Sequence, residues 1–204
     1  MNETRFEVWD SFKDILNLTP SPRQIAIDIP IGLLNERQVG GRECDRQARR
    51  ALGRPRASSV FSPPVHKILP AQEYFQTRGF GISRQAFGIF PKIREVDEQM
   101  TPELQKRVYE VHPELSFWRL AGRAMQYNKK TPEGREERLQ VLSKTFPGVR
   151  EKILGGKAPG FHYDDMIDAH VAAWTGMRIE NGAAEPISKG SFLDSKGLRM
   201  EIWY

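Results

Sequence analysis

Three places in this sequence have acids of a type and spacing that could build a site or hold a metal. The first is Asp28, which follows the apolar run Ile25-Ala26-Ile27 and precedes Pro30 and Gly32. A short buried strand that ends on a carboxylate delivers that acid to the carboxyl edge of a sheet, where α/β proteins build their sites. The same residue also reads as a turn cap ahead of Pro30. The second group is Asp164, Asp165 and Asp168. Their spacing lets all three share one helix face. Capping accounts for an acid in the first turn but not for Asp168, which sits among Ile167, Ala169, Val171, Ala173 and Trp174. A carboxylate there is costly unless it is paired or holds a metal. The third group is Glu110 and His112 at the end of a strand candidate, which read as ligands or a general base, or with Glu110 paired to a nearby arginine.

Basic side chains accompany these acids. Arg42, Arg46, Arg49 and Arg50 line one face of a predicted helix over 42–52, opposite Cys44, Ala48, Ala51 and Leu52. That stripe reads as a solvated face or as a phosphate-binding ridge, because guanidinium forks match phosphate oxygens. Lys92 and Arg94 follow Pro91, and Lys129-Lys130 forms a basic turn before Thr131-Pro132.

The elements that must position these groups follow from pattern. Residues 5–9 alternate as a short strand, and Asp10-Ser11 opens a helix carrying Phe12, Ile15 and Leu16. The strand at 24–28 comes next, so the opening reads strand, helix, strand and favours a parallel crossover. Gly53 closes the helix over 42–52. A short helix is predicted over 71–78. Ser83 caps a further helix, with Pro91 as a kink. A strand over 107–112 leads into a helix begun by Pro113, with Glu114 favoured in its first turn. Thr131 caps a helix with Leu139, Leu142 and Phe146 on one side. A loop is predicted over 155–160, then the strongest helix over 161–177, and a closing strand over 197–204 in which Leu198, Met200, Ile202 and Tyr204 alternate with polar or aromatic residues.

With 204 residues the chain has room for one domain with a real core. It is 39% hydrophobic and 28% charged, a globular composition. The net charge of +5 permits a polyanionic partner without demanding one, since 26 acids are interspersed. The single cysteine, Cys44, excludes an intrachain disulfide and a cysteine-built zinc site, and fits a reducing cytoplasm. No apolar run approaches membrane length, and the first ten residues have no signal-peptide pattern.

Several segments together resemble the uncharacterised, predicted RNase H-like nuclease family. They are AIDIPIGL (26–33), the CDRQAR and LG helix with its VF continuation (44–61), GISRQAFGIFPKIREVD (81–97), YEVHPELSF (109–117), KKTPEGREERL (129–139), YDDMIDAHVAAW (163–174) and GLRMEIWY (197–204). They span nearly the whole chain in order. The resemblance implies a single α/β domain over 1–204 with a ribonuclease H-like mixed sheet flanked by helices, and a helical insertion at about 40–105. It implies catalysis by Asp28, Asp165, Asp168 and Glu110, with Asp28, Asp165 and Asp168 holding Mg²⁺ or Mn²⁺. It assigns Lys92, Arg94, His112, Arg46, Arg49, Lys129 and Lys130 to substrate binding, against the nucleic-acid backbone. Family members usually begin with a strand carrying Gly-Val-Asp-Gly, whose aspartate is a main ligand. This chain starts at what corresponds to the third strand, so the resemblance implies an N-terminally shortened member, a fold that closes the gap differently, or a neighbouring chain that fills it. Three functions compete on this reading: a metal-dependent nuclease, a non-catalytic nucleic-acid or protein-binding module, and a hydrolase of a small phosphorylated substrate. An unpaired strand edge also leaves room for a homodimer.

Overall fold

A computed structural model of the chain describes residues 5–155, 162–190 and 192–204. The elements are α1 (Phe12–Leu16), β1 (Ile25–Ile27), α2 (Glu43–Leu52), α3 (Arg84–Gly88), α4 (Phe90–Gln99), β2 (Val108–Glu110), α5 (Pro113–Ala121), α6 (Pro132–Ser143), α7 (Val149–Gly155) and α8 (Tyr163–Glu180). Short 3-10 turns fill the segment between α2 and α3. The ends of the helices follow the local chemistry. Ser11, Ser83 and Thr131 each accept a hydrogen bond from the third backbone N–H of the helix they cap. Gly53 closes α2 with a positive φ of 61°, a conformation that suits glycine.

The fold is α/β, with a small parallel sheet of two strands flanked by helices. β1 pairs with β2 in the register Ile25–Val108, Ala26–Tyr109 and Ile27–Glu110. Side chains alternate across a strand, so the partners in one register pair share a face. Ile25 and Val108 bury into a cluster with Phe12, Val96, Met100 and Leu198, which belongs to the side of α1 and α4. Ala26 points the other way and meets α8, where a Cβ built on Gly176 would lie 3.5 Å from the Ala26 Cβ. Beyond α8, α5, α6 and α7 supply Phe117, Leu139, Leu142, Val149 and Ile153 to a second cluster, joined there by Met166, Ile167 and Val171 of α8 itself. The helical layer behind the strand pair is thus anchored on α8.

The C-terminal segment lies along the second edge of β2. Trp203 bridges Val111 in parallel and Pro186 in antiparallel, and its N–H donates to the Glu110 carbonyl at 2.9 Å. The predicted closing strand is therefore reduced to single bridges. Backbone bonds to the segment 185–194 hold it, among them the Ile187 N–H to the Ile202 carbonyl at 2.9 Å and the Met200 N–H to the Phe192 carbonyl at 2.8 Å, together with Gln105, which accepts from the Arg199 N–H at 2.8 Å and donates to its carbonyl at 2.7 Å. The first predicted strand, over 5–9, does not form. Val8 and Trp9 are 57% and 42% exposed, so the alternation there has no sheet to bury against. The described sheet is for these reasons the parallel pair alone, where a larger mixed sheet was expected. Pro91 opens α4 in its first turn, where no backbone N–H is needed, and does not kink a longer helix. The helix expected over 71–78 is a 3-10 turn, Tyr74–Thr77. The loop expected over 155–160 lies, beyond Gly155, outside the described residues.

Candidate active site

The parity of β1 decides which acids meet. Asp28 stands two residues beyond Ala26, so its side chain leaves the sheet on the face covered by α8. Asp168 lies two helical turns before Gly176. The two acids are close enough for the charge of Asp168 to raise the pKa of Asp28. Glu110 is in register with Ile27 and belongs to the opposite face.

Asp28 is exposed at the carboxyl end of β1, yet enough protein lies around it for desolvation to lead its shift. Burial first, then the negative charges of Asp168 and Glu110, hold its pKa well above the usual carboxylate range, with Lys129 opposing. Asp168 is shifted upward for the same leading reason, burial, and its side chain is 14% exposed. Its Oδ2 accepts from Lys129 Nζ at 2.6 Å. Its Oδ1 is buried with no hydrogen-bond partner.

Lys129 is the cation at the centre of this group. Burial works against its charge, and Asp168, Asp28 and Glu114 more than restore it, so its pKa rises. Glu114 enters from the first turn of α5 and is buried, with Oε1 held by Arg138 and Oε2 unpartnered. His112, the residue before α5, is kept neutral by burial, which lowers its pKa. Its Nε2 lies 3.3 Å from the Ser59 carbonyl, which requires a proton on that nitrogen. Nδ1 is then a buried acceptor, and it has no partner.

The other predicted site residues are placed elsewhere or are otherwise engaged. The Glu110 carboxylate receives Arg42 Nη1 and Nη2 at 2.7 and 2.6 Å and the Ile31 N–H at 2.6 Å. Desolvation outweighs these attractions and moves its pKa to about 6, so it is ionised at neutral pH. Arg42 also binds Asp45 at 2.7 Å and the carbonyls of Ile31 and Gly32. The paired-arginine reading of Glu110 is what the geometry shows, and the pair fastens α2 to the turn after β1. Arg46 is bound to Glu43 and the Gly41 carbonyl, and Arg49 to the Val60 and Gly40 carbonyls and Ser62 Oγ. Arg46 fastens the turn before α2, and Arg49 ties that turn to the segment after the helix. Asp164 pairs with Arg135 at 2.8 Å, and Asp165 is exposed in the first turn of α8. Lys92 is exposed on α4, Arg94 reaches the Leu69 carbonyl at 3.4 Å, and Lys130 is exposed next to Lys129.

Sequence reasoning missed Glu114 as a member of this cluster, reading it as a helix-dipole residue only. The signal available was its place in the first turn after the strand that carries Glu110 and His112. A separate group, His66, Asp97 and Asp194, was also missed, because its members come from segments far apart in the chain.

Residues 1–190 match the family described as "Protein of unknown function (DUF429)", and the chain belongs to that family. Neither a curated protein nor a solved structure matches the chain. Among the described residues no helix is long and apolar enough to cross a membrane.

Proposed function

We propose that this DUF429 protein is a metal-dependent nuclease of the RNase H-like class, hydrolysing phosphodiester bonds at the site of Asp28 and Asp168. What supports the reading is Asp168 on α8, with a buried, unpartnered oxygen, and Asp28 just past β1, near enough for the charge of Asp168 to raise its pKa. An orphaned carboxylate oxygen of that kind suits a hard cation, and oxygen donors without a thiolate suit Mg²⁺ or Mn²⁺. Asp28 and Asp168 would hold the ion, with Asp165 at the open end of α8. When bound, such an ion polarises a phosphoryl oxygen and lowers the pKa of a water.

The chain's own residues supply the remainder. Lys129, freed from Asp168, neutralises a phosphate at the site, and the exposed Lys130 extends that cationic edge along the backbone. His112, neutral and with Nδ1 open, accepts a proton within the same electrostatic neighbourhood. Asp168 first, then Asp28 and Glu114, favour the charged form of Lys129.

The Lys129–Asp168 ion pair favours a second reading. An ammonium 2.6 Å from the helix acid already balances its charge, which suits a binding module for nucleic acid that needs no metal. Calorimetric titration of Mn²⁺ into the chain, beside Asp28→Asn and Asp168→Asn, separates the two. A binding event lost in both variants, with EDTA-sensitive cleavage of a labelled oligonucleotide, supports the nuclease. A folded chain without that event, which retains the oligonucleotide only at low salt, is the binding module. Turnover of nucleotides but not oligonucleotides identifies the hydrolase of a small phosphorylated substrate.

A further inference from the structure

His66, Asp97 and Asp194 bring one ligand atom each to within 4.8 Å of one another, the one group of this kind among the described residues. His66 comes from a 3-10 turn, Asp97 from α4 and Asp194 from the C-terminal segment. None of them belongs to the Asp28–Asp168 site.

Each of the three is tethered by its far atom and presents its near atom to a common point. His66 Nδ1 lies 3.2 Å from Asn35 Oδ1, which turns Nε2 toward the carboxylates. Asp97 gives Oδ2 to Lys196 Nζ at 3.2 Å and leaves Oδ1 facing Nε2. Asp194 has a fully buried side chain, and its Oδ1 accepts from the N–H groups of Lys196 and Leu198 at 2.8 and 2.9 Å. Its Oδ2 is steadied by the Leu33 N–H at 3.2 Å and also faces Nε2. This is the outer-shell pattern that orients metal ligands: a histidine engaged through its second nitrogen, and carboxylates held by donors of their own.

Nε2 lies 3.3 Å from Asp97 Oδ1, a long hydrogen bond, and 3.9 Å from Asp194 Oδ2. Ligand atoms set about 2.0–2.1 Å from one tetrahedral ion stand roughly 3.3–3.4 Å apart, which the first separation matches and the second exceeds by about half an ångström. His66 and Asp97 also line a recess of about 320 Å³ with Leu69 and Arg94, so a fourth position on that side is open to solvent.

We propose that His66, Asp97 and Asp194 form a binding site for a borderline divalent cation of the Zn²⁺ class, with its open position facing the recess beside Arg94. One nitrogen with two carboxylates is a ligand set of catalytic rather than closed structural zinc sites. The ion would tie α4 to the C-terminal segment. Arg94 would offer a cationic wall to an anionic ligand on the ion.

The test is calorimetric titration of Zn²⁺ and of Mn²⁺ into the full chain and into His66→Ala, Asp97→Asn and Asp28→Asn, with thermal melts of each. One equivalent of Zn²⁺ that raises the melting temperature, is retained in Asp28→Asn and is lost or weakened at least tenfold in His66→Ala and Asp97→Asn, is the expected result. No saturable binding to the folded chain overturns the proposal, as does binding indifferent to both His66→Ala and Asp97→Asn. If His66→Ala fails to fold, Asp97→Asn carries the decision. Binding lost in Asp28→Asn but not in Asp97→Asn assigns the ion to the other site and also overturns it. Failure of the nuclease reading leaves this outcome untouched, since the two sites share no residue.

Discussion

Protonation is the state in which the fold holds Asp28 most comfortably. Its pKa is raised by burial and by Asp168 and Glu110, so over the window between the ordinary carboxylate range and the raised folded value the native protein keeps a proton that the unfolded chain has lost. The contribution of Asp28 to stability therefore falls as pH rises through that window and stays unfavourable above it. Asp28→Asn is expected to melt higher than the parent at pH 7, with the difference vanishing below the ordinary carboxylate range. Melts across pH check this, and a lower melting temperature for Asp28→Asn at pH 7 refutes it. A site acid that costs its protein stability is common where chemistry sets the residue. At this scale the sequence was informative about Asp28 and Asp168, because an acid among apolar neighbours is visible in one dimension. It left Glu110 open between a site role and a pair with an arginine. Whether that acid faces α8 or Arg42 depends on its register with Ile27, and no local pattern carries a register.

Elements bring the acids together through one close approach. Gly176 of α8 faces Ala26 of β1 with room for a Cβ at 3.5 Å and nothing larger. Gly176→Ala should be tolerated, and gains up to about 1 kcal/mol from helix propensity. Gly176→Leu should cost about 1–3 kcal/mol by overpacking and push α8 off the strand. It should also draw Asp168 away from Asp28. Urea denaturation reads the first effect. The second appears as a downward move of the Asp28 titration, followed by carboxyl-carbon NMR. Helix positions were legible because caps and breakers are local, as Ser11, Ser83, Thr131 and Gly53 show. The strands at 5–9 and 197–204 were not, since alternation alone does not supply a partner. The arginines of α2 read as a phosphate ridge because a stripe of charge looks the same whether it faces solvent or carbonyl oxygens. In the fold Arg46 and Arg49 face carbonyls.

For the whole molecule, a net charge of +5 permits the weak, salt-dependent attraction to nucleic acid that the proposed function requires. With a labelled single-stranded oligonucleotide, the slope of log affinity against log salt should fall by about one unit in Lys130→Gln. An unchanged slope removes that lysine from the contact. The two groups of acids share no residue, and the three-dimensional placement of His66, Asp97 and Asp194 was beyond sequence reading because each member is unremarkable in its own segment. The central sheet has a further consequence, one of timing. β1 is an early strand whose ladder partner is far downstream, and Asp28 meets its neighbour acid only through α8, later still. Closing loops of that length precedes any gain from the contacts they permit. On the ribosome, β1 must wait for β2 to emerge, and the site cannot assemble until α8 has followed. The growing chain therefore carries Asp28 without Asp168 for most of its synthesis, and the chemistry of the pair belongs to the finished molecule alone.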